Sequence, residues 1–192
     1  MNFKAYDILS SLVPGFLLLV VLQNVLGTGY DKDMVVVYTA FAFLIGYLVN
    51  TVSSWLEDIY FITWGGKPST NLLSKGGIWK VPYFEKDKAR LALLADAGKT
   101  DASEDELFAI AMRQANGVKD SRVDDFNGMY AFSRALLTTI VIVTVFMVVQ
   151  FYKDWHTYVI CLPALFIAWL RCKQRAYYYA REVLNVYLKG KG

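Results

Sequence analysis

The sequence predicts an all-α membrane protein: a four-helix transmembrane bundle with a small, mainly helical cytoplasmic insert between spans 2 and 3. The first observation is a set of four runs, Ile8 to Tyr30, Met34 to Leu56, Ala135 to Tyr152 and Trp155 to Leu170, that contain no Asp, Glu, Lys or Arg. A bilayer core takes ~20 mostly apolar helical residues. The first two runs exceed that length, the third approaches it and the fourth is shorter. The second observation is that Val35 to Val49 and Val141 to Val149 are apolar nearly all round, whereas a helix in a soluble bundle keeps a polar stripe. The third is the charge distribution, with eleven Lys and Arg between Glu57 and Arg134, six after Leu170, and only Lys32 and Lys153 in the two hairpin loops. Positive residues stay on the cytoplasmic side. Both termini and the insert are therefore expected inside, with the tight loops outside. The expected boundaries are a hairpin at 1–56, the insert at 57–130, a second hairpin at 131–171 and a basic, aromatic tail helix at 172–192.

Span 1 carries Pro14-Gly15, which either kinks the helix or marks its start after a short amphipathic turn. No small-x-small cleavage site follows it, so it reads as a retained span rather than a signal peptide. Gly27 to Tyr30 forms the first turn. Span 2 places Gly46, Asn50, Ser53, Ser54 and Glu57 on one helical face. In lipid, small and polar residues of this kind pack against other helices or line an aqueous path. Val49 is expected on another face. Trp55 sits at headgroup level, with Tyr60, Phe61 and Trp64 extending an aromatic belt.

The insert opens as a loop, Gly65 to Thr70, which lacks the spacing of a phosphate-binding loop and has no preceding strand. Residues 76–84 read as a short extended segment. Glu85 to Ala97 is a helix stopped by Gly98. Ser103 and Glu106 form a capping box for a helix ending at Asn116-Gly117, with Leu107, Ile110, Ala111 and Gln114 on its inner face. Its acidic first turn reads as a solvated cap. Ser121 and Asp124 repeat the capping pattern ahead of a long helix entering span 3. Span 4 contains Pro163 and continues as a cytoplasmic helix to Leu188. On that tail, Lys173, Arg175 and Arg181 are expected to contact anionic lipid or a partner, with docking against the insert as the other disposition.

No catalytic, cofactor-binding or metal-ligating residues emerge. The sole histidine, His156, lies in an outer loop beside Asp154. Cys161 and Cys172 are about three helical turns apart and too distant for a disulfide. Zinc ligation would need paired Cys or His spacing that is missing. Polar positions such as Asn50, Thr138, Thr139, Thr144 and Gln150 are too scattered to define a selectivity filter.

The segments Gly46-Tyr47-x-x-Asn50-x-x-Ser53-Ser54-Trp55-Leu56-Glu57-Asp58, Trp64 to Ser69 and Tyr177-Tyr178-Tyr179-x-Arg181-Glu182 resemble those of small uncharacterised bacterial inner-membrane proteins. The layout is similar to membrane accessory or effector subunits of bacterial antiviral systems, including CRISPR-associated ones. The resemblance implies an oligomeric, non-enzymatic protein that disturbs membrane integrity, channel-like, when triggered through its insert. The Arg-x4-6-His signature of HEPN members is missing. The alternative is an anchor or scaffold that recruits a soluble cytoplasmic partner. The expected partners are the lipid bilayer, further copies of the chain and, in the alternative, that soluble cytoplasmic protein, with no specific nucleic acid.

Overall fold

A computed structural model of the chain describes residues 5–29, 31–74, 77–79, 81–118 and 121–191. Tyr30, in the first predicted run, and Gly76 and Lys80, in the predicted extended segment, lie outside the described residues. Among those described, the structure is helical and contains no strand. The helices are α1 (Ala5–Leu26), α2 (Val35–Trp55), α3 (Glu57–Thr63), α4 (Pro68–Leu73), α5 (Lys86–Ala97), α6 (Glu104–Asn116), α7 (Val123–Gln150) and α8 (Trp155–Lys189). Three segments, Lys32–Trp55, Val123–Gln150 and Trp155–Lys189, are long and apolar enough to cross a membrane. A shorter apolar stretch, Ser10–Leu26, lies in α1.

The chain forms two compact units. The first comprises Met1–Glu57 and Gly128–Cys172. Within it α1 and α2 meet backbone to backbone. A Cβ added to Gly15 would overlap the Ala42 carbonyl, and one added to Gly46 would overlap the Ser11 carbonyl. Ser11-x-x-x-Gly15 and Ala42-x-x-x-Gly46 thus form a reciprocal pair of small-residue motifs, which let helices approach closely. The buried stripe of α2 is Ala42, Gly46, Val49 and Ser53. Val49 therefore faces the packed side, in a cluster with Leu18 and Ala135, contrary to the sequence expectation. The reason is register: a helical face at i, i+4, i+7, i+11 from Ala42 includes position 49.

Pro14 lies inside α1 and is fully buried, so the helix begins well before the proline. The α1 end is closed by Gly27 at φ +63, with the Thr28 amide donating to the Gln23 carbonyl at 3.0 Å, a left-handed cap that favours glycine. Buried hydroxyls on α7 bond to their own helix: Thr138 to the Arg134 carbonyl and Thr139 to the Ala135 carbonyl, each at 3.0 Å. Such back-bonding satisfies a hydroxyl where no water reaches it. The outward faces are apolar, with Val36 80% exposed, Val149 71% and Ile160 69%.

The second unit comprises Asp58–Asn127 and Lys173–Gly192. Its core gathers Leu72 and Leu73 of α4, Ala89 and Leu93 of α5, and Leu107, Ala111 and Ala115 of α6 around the C-terminal half of α8. That half contributes Tyr177, Ala180, Val183, Leu184, Tyr187 and Leu188, a stripe of helical period. The tail is therefore not a separate element laid on lipid; it is the central helix of the insert's own core. Apolar residues recurring every three to four positions found a protein surface to cover.

Local signals place the smaller helices. Ser103 accepts from the Glu106 amide at 3.2 Å while the Glu106 carboxylate accepts from the Ser103 amide at 3.1 Å, completing the capping box of α6. Gly98 caps α5 in the left-handed conformation. Residues 65–70 were expected to form only a loop; the structure instead starts α4 at Pro68, where a proline lacks no hydrogen bond because the first-turn amide is unpaired anyway. Gln114 is exposed and Ala115 takes its expected inner position. Trp64 is fully buried and Tyr60 7% exposed. Both are buried rather than displayed as parts of an aromatic belt, and their rings lie 6.5 Å apart in a stacked arrangement.

Candidate functional site

The most developed polar arrangement lies in the first unit, where α2 ends, α3 begins and α7 passes. Arg134 Nη1 lies 2.9 Å from Glu57 Oε2, with the two side chains 12% and 28% exposed. The same guanidinium donates from Nη2 to Ser54 Oγ at 2.8 Å and from Nε to Ser53 Oγ at 3.3 Å. The other carboxylate oxygen, Glu57 Oε1, accepts the Tyr130 hydroxyl at 2.5 Å. Tyr130 and Arg134 are one turn apart on α7, and the guanidinium carbon sits 5.4 Å from the tyrosine ring centroid. Both serine hydroxyls donate onward to the Asn50 carbonyl, at 2.7 Å from Ser53 and 3.2 Å from Ser54.

This arrangement satisfies a largely sequestered charge pair on every side. A planar guanidinium offers donors in a fixed fork, and here three of its nitrogens have oxygen partners. The serine hydrogens are committed to a carbonyl, so neither hydroxyl is presented as a nucleophile. The chemistry is that of a helix-to-helix clamp. Burying such a pair costs desolvation, which hydrogen bonds on every side offset, and removing one partner leaves an uncompensated charge at a much larger cost.

The predicted face of α2 divides accordingly. Gly46 is buried against α1, Asn50 is half-buried and supplies the carbonyl, Ser53 is buried, and Ser54 is exposed but held by Arg134. Glu57 turns to α7. Sequence reasoning missed Tyr130 and Arg134, which read as boundary residues. Their i, i+4 spacing beside an uncompensated Glu57 was the available signal.

Of the three tail cations expected to contact lipid or a partner, Lys173 is withdrawn from the surface while Arg175 and Arg181 are half-buried. Lys173 is 3% exposed and its ammonium donates to the Ile78 carbonyl, so it is not a lipid-facing charge. Its position faces the core side of α8, next to Tyr177 one turn on. Arg175 is half-buried, and Arg181 lies with its guanidinium carbon 5.0 Å from the Tyr178 ring centroid. Tyr177 is fully buried and accepts from the Asn71 amide at 3.0 Å, while Asn71 also donates to the Gly66 carbonyl at 3.1 Å. Gly77, at φ +99, leaves the room this needs: a Cβ there would crowd the Tyr177 hydroxyl and the Asn71 amide.

A second polar centre of this unit is Asp96. Its carboxylate accepts from Lys191 at 2.6 Å, Tyr187 at 2.9 Å and Gln114 at 3.0 Å. The Lys191 ammonium first, then the Tyr187 hydroxyl, hold the Asp96 carboxyl below its ordinary range against a smaller opposing effect of burial. At the hairpin between α7 and α8, His156 Nδ1 lies 2.8 Å from Asp154 Oδ1, and this contact lowers the exposed Asp154 carboxyl. Both thiols are free and buried. Among the described residues, no group of three or more His, Cys, Asp or Glu is arranged to hold a metal ion. No family model matches the chain, and neither a curated protein nor a solved structure matches it.

Proposed function

We propose that the chain is a four-span protein of the bacterial inner membrane that anchors a folded helical module on the cytoplasmic face and presents it to a soluble partner. The observation that carries this reading is the inverted surface of the first unit. Its apolar helices bury glycine, alanine, serine and threonine beside a few larger residues such as Leu137, and expose large aliphatic side chains over most of their surface. Water penalises that surface and hydrocarbon does not. The second unit has the opposite pattern, with a leucine, alanine and tyrosine core and a charged exterior. An anchor for a module accounts for both. The orientation follows from the basic residues of insert and tail.

The test is labelling of single cysteines with an impermeant reagent in sealed cells and vesicles. Thr28→Cys and Lys153→Cys are expected to react only from the outside, and Lys88→Cys and Lys189→Cys only from the inside. Outside labelling at either of the latter two positions overturns the topology.

An oligomeric, channel-like effector is a second reading. It is favoured by a cleft of about 240 Å³ at the hairpin end of the first unit, where Asn24 of α1 and Gln150 of α7 line one space with Val21, Phe146 and Met147. Asn50, Thr138 and Thr139 serve it less well, since the two threonine hydroxyls are buried and bonded within their own helix. Single-channel recording in planar bilayers discriminates: steps of conductance favour the effector, and a silent, correctly inserted protein favours the anchor.

A further inference from the structure

The second unit carries one exposed apolar patch that its own fold does not use. On α3, Tyr60 and Trp64 point into the core, while Ile59 and Ile62 lie on the opposite side, 55% and 77% exposed. Beside the end of α3, the Ile78 amide donates to the Trp64 carbonyl at 3.1 Å, and the Ile78 side chain lies against Gly65. This contact brings Ile78, 53% exposed, and Trp79, 72% exposed, to the same end of the helix. Trp79 has φ +46, and among the described residues it is the one non-glycine residue with positive φ. A bulky residue in that region is strained, and the indole it carries is exposed.

Two facts choose the occupant. Residues 59–66 and 76–79 contain no charged side chain, while Asp58, Lys67, Lys75 and Lys80 flank them in sequence, so the face itself matches hydrocarbon and charges stand only at its margins. Ile59 and Ile62 also follow Trp55, the last residue of α2, within seven residues, which limits the separation to about 25 Å even for extended chain. We infer that Ile59, Ile62, Ile78 and Trp79 form a wedge that seats the module in the interfacial layer of the bilayer, independently of anionic lipid. Trp and aliphatic side chains favour that layer. The inference rests on the proposed membrane-spanning reading. By contrast Leu91, 69% exposed on α5, stands beside Arg90 and near Lys88 and Asp87 and belongs to an aqueous face.

The experiment places a bimane fluorophore on single cysteines of the full chain in phosphatidylcholine vesicles, with and without brominated acyl chains. The labelled variants are Ile62→Cys, Trp79→Cys, Phe43→Cys as a position on α2, and Leu91→Cys. Quenching at positions 62 and 79 comparable with that at 43, with none at 91 and no change in high salt, is the expected result. Quenching at 43 without quenching at 62 and 79 overturns the wedge and leaves the membrane-spanning reading intact. An absence of quenching at all four positions overturns both. If 62 and 79 are shielded from an aqueous quencher yet untouched by brominated chains, a protein covers the patch and the lipid assignment fails.

Discussion

The two units of this molecule solve burial in opposite directions. In the first, helices approach until Gly15 and Gly46 leave no space for a Cβ, and Ser11, Ala42, Ser53, Thr138 and Thr139 are buried beside a few larger residues such as Leu18 and Leu137. In the second, Leu72, Leu93, Leu107, Val183 and Tyr187 fill the interior while Arg, Lys, Asp and Glu populate the outside. The contrast teaches that one chain can follow two packing rules, and three of its helical segments are long and apolar enough to cross a membrane. Where the surroundings are themselves apolar, burying a leucine gains nothing and close backbone contact with satisfied hydroxyls is what remains. Where the surroundings are water, large apolar side chains supply the driving force.

Breaking this comparison begins with the largest expected effect. Arg134→Ala removes the cation from the clamp and leaves Glu57 with the Tyr130 hydroxyl alone. Loss of one partner of a buried pair costs about 3 kcal/mol or more. The folded fraction of the first unit in mixed detergent titrations reports it, and Glu57→Gln combined with Arg134→Gln is expected to recover part of the loss. If the single and double variants lose the same stability, the pair is not the clamp.

The corresponding change in the second unit is Leu93→Ala, where a fully buried side chain is cut from the core. Such truncations cost about 2–5 kcal/mol. Amide exchange along α5 and α6 is expected to accelerate while α1 and α2 remain protected. Uniform acceleration through α1 and α2 would erase the distinction between the units.

Gly46→Leu tests the opposite packing rule. There, added volume rather than lost volume is harmful, because Ser11 and its backbone stand in the way. Overpacking of this kind costs about 1–3 kcal/mol, read as reduced resistance to denaturing detergent. Val49→Leu is expected to be harmful as well, since Val49 is buried, whereas Leu48→Ala, at an exposed position, is not. Equal tolerance of all three would remove the case for close α1–α2 contact.

Much of this architecture is legible in the sequence, and the illegible parts share a cause. Local chemistry reads well: Ser103 with Glu106 states a helix start, Gly98 states a stop, and charge-free runs state where α2 and α7 lie. Long-range partners do not read from one strand of text. Gly46 is visible as a small residue, but Ser11 and Gly15, its counterparts, are hidden beside Pro14, which draws attention to a kink. Arg134 resembles any boundary cation until Glu57 is found opposite it. Trp64 and the tail tyrosines carry the composition of an interfacial belt, and only tertiary packing sends them into a core. Lys173 illustrates the limit most directly, since its charge predicts exposure and a backbone carbonyl overrides that.

The smallest effect belongs to Asp96, and it sharpens the comparison because it depends on water. The carboxylate is 21% exposed and Lys191 40%, so screening keeps the contribution of this contact to about 1 kcal/mol or less. Its sign with pH is fixed by the direction of the shift. In the folded unit the carboxyl lies below its ordinary value of 3.8, and in the unfolded chain it returns to that value. The folded state therefore gains stability that is complete above the ordinary value and is lost as the pH falls through it toward the lowered one. Asp96→Asn is expected to destabilise the second unit near about pH 6, with the gap to the parent shrinking as the pH falls below the ordinary value toward the lowered one. The first unit is expected to be indifferent at both, since the residues that hold Asp96 are Lys191, Tyr187 and Gln114, all in the second. Amide exchange resolved by helix measures both units in one sample. A gap between variant and parent that persists undiminished in acid would mean that Asp96 acts through shape rather than charge.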